Sequence, residues 1–186
     1  KMTKSLQEIV HALVSSSQEI PDVAVCGLTL DSNQVKKGDM FIAIPGTQVD
    51  GHDYIHQAID SGASAIISNG RDVGNLPVPQ IKVANPRRAA SIVAAEYYGH
   101  PTKHLTVIGI TGTNGKTTSA SLLTSILTQA GYKTAQLGTL GLIADGFDQQ
   151  ATLTTPDAIS LQKTFSDLMN ADFSHIVMEV SSHALD

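Results

Sequence analysis

The feature that most constrains this chain is a strand-like segment that runs straight into a glycine-rich loop and then into a helix. The apolar run Leu105 to Ile110 precedes Thr-Gly-Thr-Asn-Gly-Lys-Thr-Thr, residues 111–118, and a helical pattern extends from Lys116 to Ala130. Glycine lets the backbone turn its N–H groups toward an anion, and a helix start adds unpaired N–H donors and partial positive charge. This arrangement predicts a site for the phosphates of a nucleoside triphosphate.

The loop supplies specific groups for that chemistry. Lys116 can reach the β and γ phosphates, and the Thr117 hydroxyl can coordinate Mg²⁺. Because Gly109 and Gly112 do not match the spacing of the strict phosphate-loop pattern, a glycine-rich turn that only caps a helix is the alternative. The order of strand, Gly-Lys-Thr and helix favours phosphate binding. The predicted nucleotide-binding residues are Gly112, Thr113, Asn114, Gly115, Lys116, Thr117 and Thr118.

The rest of the chain alternates strand and helix patterns, which is typical of α/β folds. Apolar spacing predicts helices over residues 3–15, 54–60, 86–98, 116–130 and 157–169, and strands over 23–30, 40–44, 63–68, 79–83, 105–110, 132–138 and 175–180. Asn85 followed by Pro86 signals a helix start, and we divide the chain just before it, at Ala84. The prediction is a small N-terminal α/β domain, residues 1–84, followed by the first part of a P-loop ATPase-type parallel-sheet domain, residues 85–186.

Composition excludes several classes of function. Hydrophobic residues make up 41% of the chain and charged residues 16%, which suits a globular protein with a core. The net charge is -5 and no stretch concentrates Lys or Arg, so nucleic acid is not expected as a partner. No apolar run approaches the roughly 20 residues that cross a bilayer, and the lone Cys26 fits a reducing compartment. We expect a cytoplasmic monomer without a membrane partner.

Several stretches resemble one family. The octapeptide resembles the ATP loop of the Mur ligases and of their relatives, the folylpolyglutamate and cyanophycin synthetases. The branch of the Mur ligases that adds the third peptide residue is similar at Thr154-Thr155-Pro156-Asp157 with Leu161-Gln162, and at Met-Glu-Val-Ser-Ser-His-Ala-Leu, residues 178–185. The first domain resembles the family's UDP-binding domain at Leu30-Asp31-Ser32, residues 38–43, Gly46, residues 50–52 and Gly62-Ala63.

The resemblance implies an ATP- and Mg²⁺-dependent ligase of peptidoglycan precursor synthesis. Its substrates would be ATP, UDP-N-acetylmuramoyl-L-alanyl-D-glutamate and a diamino acid, either lysine or meso-diaminopimelate. Phosphorylation of the D-glutamate carboxylate would give an acyl phosphate, from which the amino group of the diamino acid displaces phosphate.

The resemblance also assigns roles to individual residues. Lys116 would stabilise the transferring phosphoryl group, and Thr117 and Glu179 would hold Mg²⁺. Alternatively, Glu179 is only a solvated carboxylate at the end of a strand. The third catalytic candidate, His183, would either approach the metal region or simply pack. The expected substrate contacts are Leu30, Ser32, Thr47, Gln48, Val49, Thr154, Thr155 and Ser181, although Thr154 and Thr155 could instead cap the helix near Asp157. Asp157 itself is expected to belong to that capping turn.

The chain departs from the family pattern in several places. Asn33 stands where the family usually has Arg, and Leu153 stands where it commonly has Asn. A further acidic-histidine stretch, a carbamoylated lysine and a C-terminal domain are family features that this sequence does not contain. Lys1 before Met2 suggests a remnant of an expression tag, and Asp186 falls inside a domain. We expect this chain alone to lack ligase activity, although residues 1–84 could still bind the UDP-sugar weakly.

Two other functions stay open. A related amide ligase, such as a cyanophycin-type enzyme, would share the phosphate loop, but the UDP-domain pattern argues against it. A noncatalytic nucleotide-binding module is the alternative from a different class, and Thr117 and Glu179 favour catalysis over it.

Overall fold

The computed structural model describes residues 2–15, 19–46, 49–147 and 156–181. It forms two compact units, Lys1–Tyr97 and Tyr98–Asp186, each with its own four-stranded sheet, so the α/β class is confirmed. The units divide after the helix that begins at Pro86, whereas the sequence division at Ala84 gave that helix to the second domain. This difference has a packing reason, because the helix lies against the N-terminal helix of the first unit.

The first unit is a parallel sheet with helices. Its strands are β1 (Lys4–Ser5), β2 (Ala24–Val25), β3 (Gly27–Thr29), β4 (Asp39–Ile42), β5 (Ala65–Ser68) and β6 (Gln80–Lys82), and its helices are α1 (Leu6–Val10), α2 (Ile55–Asp60) and α3 (Pro86–Tyr97). The sheet order is β3-β4-β5-β6 with every pair parallel, and β1 and β2 form a separate antiparallel pair. All residues of β4 and β5 are buried, as in a parallel sheet covered on both faces. Turns of 3₁₀ helix, Ser32–Gln34 and Gly51–Tyr54, follow β3 and β4.

The N-terminal elements differ from the sequence prediction. Residues 3–15 were expected to form one helix, but α1 covers only Leu6–Val10: Lys4 and Ser5 pair with β2 instead, and residues 11–14 form turns and a bend. The strand expected over residues 23–30 is interrupted at Cys26, because β2 pairs with β1 while β3 joins the main sheet. The spacing of apolar residues does not show which strand each short segment pairs with.

The second unit carries the glycine-rich loop. Its elements are β7 (Thr106–Ile110), α4 (Lys116–Gln129), β8 (Thr134–Gly138), β9 (Gly141–Ile143), α5 (Ala158–Asn170) and β10 (His175–Glu179), with a 3₁₀ turn at Pro101–Lys103. The sheet order is β7-β10-β8-β9, in which the first three strands are parallel and β9 is antiparallel. The carboxyl ends of β7, β10 and β8 therefore meet at one edge, where ligands of such sheets bind.

A buried cluster and a capping residue explain how α5 is placed. Leu105, Ala135, Leu137, Phe165, Leu168, Phe173 and Ile176 form a buried cluster that includes the inner face of α5. Asp157 caps α5, since its Oδ1 accepts the N–H groups of Ile159 and Ser160 at 2.9 and 3.0 Å, which confirms its predicted capping role. Among the described residues, no helix combines the length and apolar character that spanning a membrane requires.

Candidate functional site

The glycine-rich loop joins the end of β7 to the start of α4, as predicted. Gly112 and Gly115 have φ values of 148° and 78°, a region in which other residues are strained. Gly115 is the N-cap residue of α4 and provides no side chain to cap the helix, so the first-turn N–H groups of α4 remain available to an anion. Residues 111–115 are all exposed. The backbone conformation therefore leaves an open anion-binding helix end.

Two side chains of the first turn of α4 face this region. Lys116 Nζ donates a hydrogen bond to the Gly112 carbonyl at 2.6 Å, so the ammonium group lies across the loop. Thr117 Oγ1 donates to Glu179 Oε2 at 2.9 Å, although the two residues are 62 positions apart in sequence. The structure thus brings together Lys116, Thr117 and Glu179 as the sequence analysis expected.

Glu179 reaches the loop because of strand register. It ends β10 and pairs with Ile110, the last residue of β7, so its carboxylate emerges at the start of the glycine-rich loop. Its side chain also lies against Gly138, at the end of β8: a Cβ atom there would be 2.1 Å from Glu179 Oε1. Glycine is required at 138 by this approach. The alternative of a solvated strand-end carboxylate does not fit this environment.

The polar groups around Glu179 fit a divalent cation. Glu179 Oε1 is buried and has no hydrogen-bond partner among the described residues, which leaves an anionic oxygen for a ligand. Mg²⁺ prefers oxygen ligands, and it commonly binds through one or two protein oxygens together with phosphates and water. Thr117 and Glu179 provide such a pair. The part of the chain that the structure describes contains no cluster of three His, Cys, Asp or Glu side chains that could hold a metal by themselves.

Sequence reasoning missed one member of this group. Thr139 Oγ1 lies 3.3 Å from Thr117 Oγ1, in the turn directly after β8. Its position beyond the carboxyl end of a central parallel strand is the signal that could have identified it, because the loop and Glu179 occupy the same edge. Thr139 adds a second hydroxyl beside Thr117.

The structure does not place the other catalytic and substrate-binding residues predicted for this unit in the group formed by Lys116, Thr117 and Glu179. Ser181 is half-buried just beyond β10, where the Val180 N–H donates to the Ile110 carbonyl at 2.8 Å. Thr154, Thr155 and His183 lie outside the described residues, so their proposed contacts stay predictions.

The first unit contains a separate pocket at the carboxyl ends of β3 and β4. Its volume is about 310 Å³, and its lining residues are Leu30, Asp31, Ser32, Asn33, Phe41, Ile44, Val49, Gly51 and Tyr54. This set includes the predicted Leu30, Ser32 and Val49, whereas Thr47 and Gln48 fall outside the described residues. Sequence reasoning missed the apolar and aromatic wall formed by Phe41, Ile44 and Tyr54. The pocket combines flat apolar surfaces with a few polar groups, which is typical of small-molecule sites.

A hydrogen-bonded network fixes the segment that follows β4 and lines this pocket. His52 is buried; its Nδ1 lies 2.6 Å from Asp50 Oδ1 and its Nε2 accepts the Asn69 N–H at 3.0 Å. Since Nε2 accepts, the Nδ1–H donates to Asp50. Hydrogen bonds from the His52 backbone and side chain hold the pKa of Asp50 below its usual 3.8, and Arg71, 3.1 Å away, acts in the same direction. The network ties the pocket segment to the end of β5.

The fold and the loop define a phosphate-loop α/β protein, and comparison with known proteins gives its family. The family described as Mur ligase middle domain matches residues 110–186, and the family described as Mur ligase family, catalytic domain, matches residues 24–98. The chain belongs to the Mur ligase family.

Individual relatives agree with this assignment. The chain is 40% identical over 185 residues to a Bacillus licheniformis protein named UDP-N-acetylmuramoyl-L-alanyl-D-glutamate--2,6-diaminopimelate ligase, and it covers 37% of that protein. Proteins of the same name from Clostridium botulinum and Gloeobacter violaceus are 43% and 41% identical over 83% and 97% of this chain, which covers 33% and 37% of them. The chain thus spans about a third of the length of these relatives, from 33% to 37%.

Solved structures show the same fold. A UDP-N-acetylmuramoyl-L-alanyl-D-glutamate--2,6-diaminopimelate ligase superposes on 99% of this chain with a TM-score of 0.76 and 28% identity, and 37% of that structure is covered. A MurF ligase from Thermotoga maritima in complex with ADP matches 83% of this chain with a TM-score of 0.56 and 25% identity, and 32% of it is covered.

Proposed function

We propose that this chain is the UDP- and ATP-binding part of an ATP-dependent ligase that adds the third residue to UDP-N-acetylmuramoyl-L-alanyl-D-glutamate. The observation that carries the proposal is the 2.9 Å hydrogen bond from Thr117 of the glycine-rich loop to Glu179 at the end of β10. It places a loop hydroxyl and a carboxylate with one unpaired oxygen at a helix end suited to phosphates. The substrates named in this proposal follow from the Mur ligase family assignment.

In the proposed reaction, a carboxylate oxygen of D-glutamate attacks the γ phosphorus of ATP, and ADP leaves. The amino group of a diamino acid then attacks the activated carbonyl, phosphate leaves, and the nitrogen loses a proton. Mg²⁺ bound by Thr117 and Glu179 would neutralise phosphate charge. Lys116 would leave the Gly112 carbonyl and contact the phosphoryl oxygens, where its charge is most useful in the transition state.

The loop residues Gly112 to Thr118 would orient the phosphates through backbone N–H groups. The positive φ values of Gly112 and Gly115 and the exposed helix end support this role. The ADP in the related MurF structure supports the choice of an adenine nucleotide. Ser181, Thr154, Thr155 and His183 are proposed to contact the peptide substrate or the metal region.

The pocket of the first unit is proposed to hold the uridine end of the second substrate. Among its described lining residues there is no Lys or Arg, and Tyr54, Phe41 and Ile44 provide apolar surface, the first two as flat rings. Such a pocket suits an uncharged ring better than a diphosphate. Leu30, Ser32 and Val49 would contact the ligand there, together with Thr47 and Gln48.

The names of the relatives favour diaminopimelate as the incoming residue. The test follows phosphate release by the natural-length protein with ATP, Mg²⁺ and UDP-N-acetylmuramoyl-L-alanyl-D-glutamate, with meso-diaminopimelate or lysine supplied in turn. We expect release that requires the dipeptide substrate and diaminopimelate. Release with lysine alone would correct the amino acid, and no release with either would refute the ligase. The 186-residue chain serves as a control and should show no turnover.

A further inference from the structure

The pocket segment, residues 49–54, has one set of residues in the pocket and another set in contact with the loop that follows β5. Val49, Gly51 and Tyr54 line the pocket, whereas Asp50, His52 and Asp53 bond to residues 69–71 of that loop. The loop therefore supports the pocket segment without lining the pocket itself.

Two kinds of bond make this connection, and they differ in burial. Arg71 donates to Asp50 at 3.1 Å and to Asp53 at 2.8 Å, but its side chain is 49% exposed, and such ion pairs contribute little. The His52 side chain is fully buried, and its Nε2 accepts the Asn69 N–H at 3.0 Å. Water cannot replace a fully buried acceptor, so the loss of this bond is the more costly one.

The orientation of the His52 ring is decided by partners that cannot exchange roles. The Asn69 N–H only donates, so Nε2 carries no proton and Nδ1–H faces Asp50 Oδ1, 2.6 Å away. The pKa of Asp50 lies below its usual value, so at neutral pH its carboxylate is ionised and only accepts. A half turn of the ring would place carbon atoms against both partners.

The two ring bonds join different parts of the chain. The bond to Asp50 is local, since the two residues are two positions apart in the same segment. The bond to Asn69 spans 17 positions and reaches the residue directly after β5, a strand whose residues are all buried. The bond to Asn69 is therefore the one that attaches the pocket segment to the sheet.

We propose that His52 is a positioning residue for the ligand of this pocket, and that ligand affinity depends on its bond to Asn69 rather than on its bond to Asp50. The inference rests on the proposed uridine site. Without the bond to Asn69, the pocket segment samples geometries that do not fit the ligand. The apparent Kd then rises by the inverse of the fraction that keeps the binding geometry.

Two amide substitutions separate the two bonds. In His52→Asn, the amide nitrogen takes the place of Nδ1 and donates to Asp50, but nothing accepts the Asn69 N–H. In His52→Gln, the amide oxygen takes the place of Nε2 and accepts the Asn69 N–H, whereas the bond to Asp50 is lost. The fixed roles of the partners decide how each amide turns. Each variant loses one bond, so both should lose stability, and ligand affinity distinguishes them.

Uridine is titrated calorimetrically into the full chain and into each variant, below the unfolding temperature of each. We expect about three- to tenfold weaker binding to His52→Asn, and His52→Gln within about twofold of the wild type. His56→Asn is the control, because His56 is an exposed histidine on α2 that bonds to the Val73 carbonyl and does not line the pocket. It should leave uridine affinity unchanged.

Two further measurements do not depend on the His52 variants of this chain alone. Asn69→Pro removes the N–H itself and leaves His52 in place, and the extended Ser68 of β5 suits the residue before a proline. It should weaken uridine binding by the same factor as His52→Asn. In the natural-length protein, His52→Asn should raise KM for the UDP-linked substrate and leave kcat and KM for ATP unchanged.

The possible results separate the inference from the proposed function. Wild-type uridine affinity in His52→Asn or in Asn69→Pro would overturn the positioning role while leaving the uridine pocket intact. Equal weakening by His52→Asn and His52→Gln, or a lower kcat with unchanged KM, would also overturn it, since either would show a general structural role. Absence of uridine and UDP binding by the wild-type chain would refute the pocket assignment itself, and the inference with it.

Discussion

Replacement of Gly138 by alanine should disable the proposed magnesium site without altering a single proposed ligand. Gly138 lies outside the left-handed region of φ, so the close approach of Glu179, not backbone conformation, requires glycine there. A Cβ atom at 138 would lie 2.1, 2.5 and 2.8 Å from Oε1, Cδ and Cγ of Glu179. Ordinary contact begins near 3.4 Å, so the carboxylate must move by about 1 Å or more.

This displacement should break the hydrogen bond between Glu179 Oε2 and Thr117 Oγ1. A hydrogen bond to a charged group contributes about 1.5–3 kcal/mol, and the same displacement would remove the carboxylate from the proposed cation site. We therefore expect Gly138→Ala to bind ATP about 10- to 100-fold more weakly in the presence of Mg²⁺. ATP binding measured with EDTA should change little, because the loop and Lys116 are untouched.

The assay is calorimetric ATP titration of the natural-length protein with Mg²⁺ and with EDTA. Gly109→Ala is the matched control: it lies in the same sheet, and its Cβ atom would meet only the Cγ2 methyl of Val180, at 3.3 Å. That methyl group can shift at little cost. Wild-type Mg²⁺-ATP affinity in Gly138→Ala, or equal weakening with EDTA, would refute the role given to the Glu179 carboxylate.

Three further substitutions test other parts of the molecule. Lys116→Ala should weaken ATP binding at least about tenfold while changing the free energy of unfolding by less than about 0.5 kcal/mol, as titration and urea unfolding would measure. Asp157→Ala should destabilise the chain by about 1 kcal/mol, since it removes the cap of α5, and it should leave uridine binding unchanged. Asp50→Asn should destabilise the chain by about 1 kcal/mol at pH 7. Because the folded pKa of Asp50 lies below 3.8, this contribution is complete above pH 3.8 and is lost as the pH falls through the folded pKa.

Each of these three substitutions has a control measurement and a possible result that would contradict the prediction. Lys103→Ala removes an exposed lysine of the same unit and should leave ATP affinity unchanged; an equal loss there would show a general charge effect. Asp145→Ala is the control for Asp157→Ala, and equal destabilisation by both would argue against capping. For Asp50→Asn, urea unfolding from pH 7 to pH 3 should show the difference from the wild type shrinking at low pH. A difference that does not depend on pH would contradict the charged network with His52.

Much of the second unit could be predicted because its signals are local. The helix predicted at Lys116 begins at that residue, since Gly115 is its N-cap, and it ends at Gln129, one residue before the predicted Ala130. Asp157 was identified as a cap because its side chain reaches only two or three residues along the chain. Such interactions depend on neighbouring residues, which a sequence shows directly.

The first unit was harder to predict because its elements depend on pairing between residues that are distant in sequence. The helix expected over residues 3–15 begins only after Ser5, because Lys4–Ser5 pair as a strand with Ala24–Val25, about 20 residues away. Lys4 and Ser5 form a strand of only two polar residues, which is too short to show a periodicity of its own, so the competing strand was not visible. On α4, periodicity likewise could not show that Ala120 is buried while Leu122 and Ile126 are more than 60% exposed.

The sequence by itself determined which groups are available: a loop whose glycines permit φ values above zero, a lysine and a threonine at a helix start, and a carboxylate at the end of an apolar strand. Only the tertiary structure decided that Glu179 lies 2.9 Å from Thr117, that Gly138 makes room for it, and that the Gln57 amide lies 2.9 Å from that of Asn33. The physical reason is that the first set follows from local backbone preferences. The second set follows from strand register and packing, which bring together residues that are 24 to 62 positions apart.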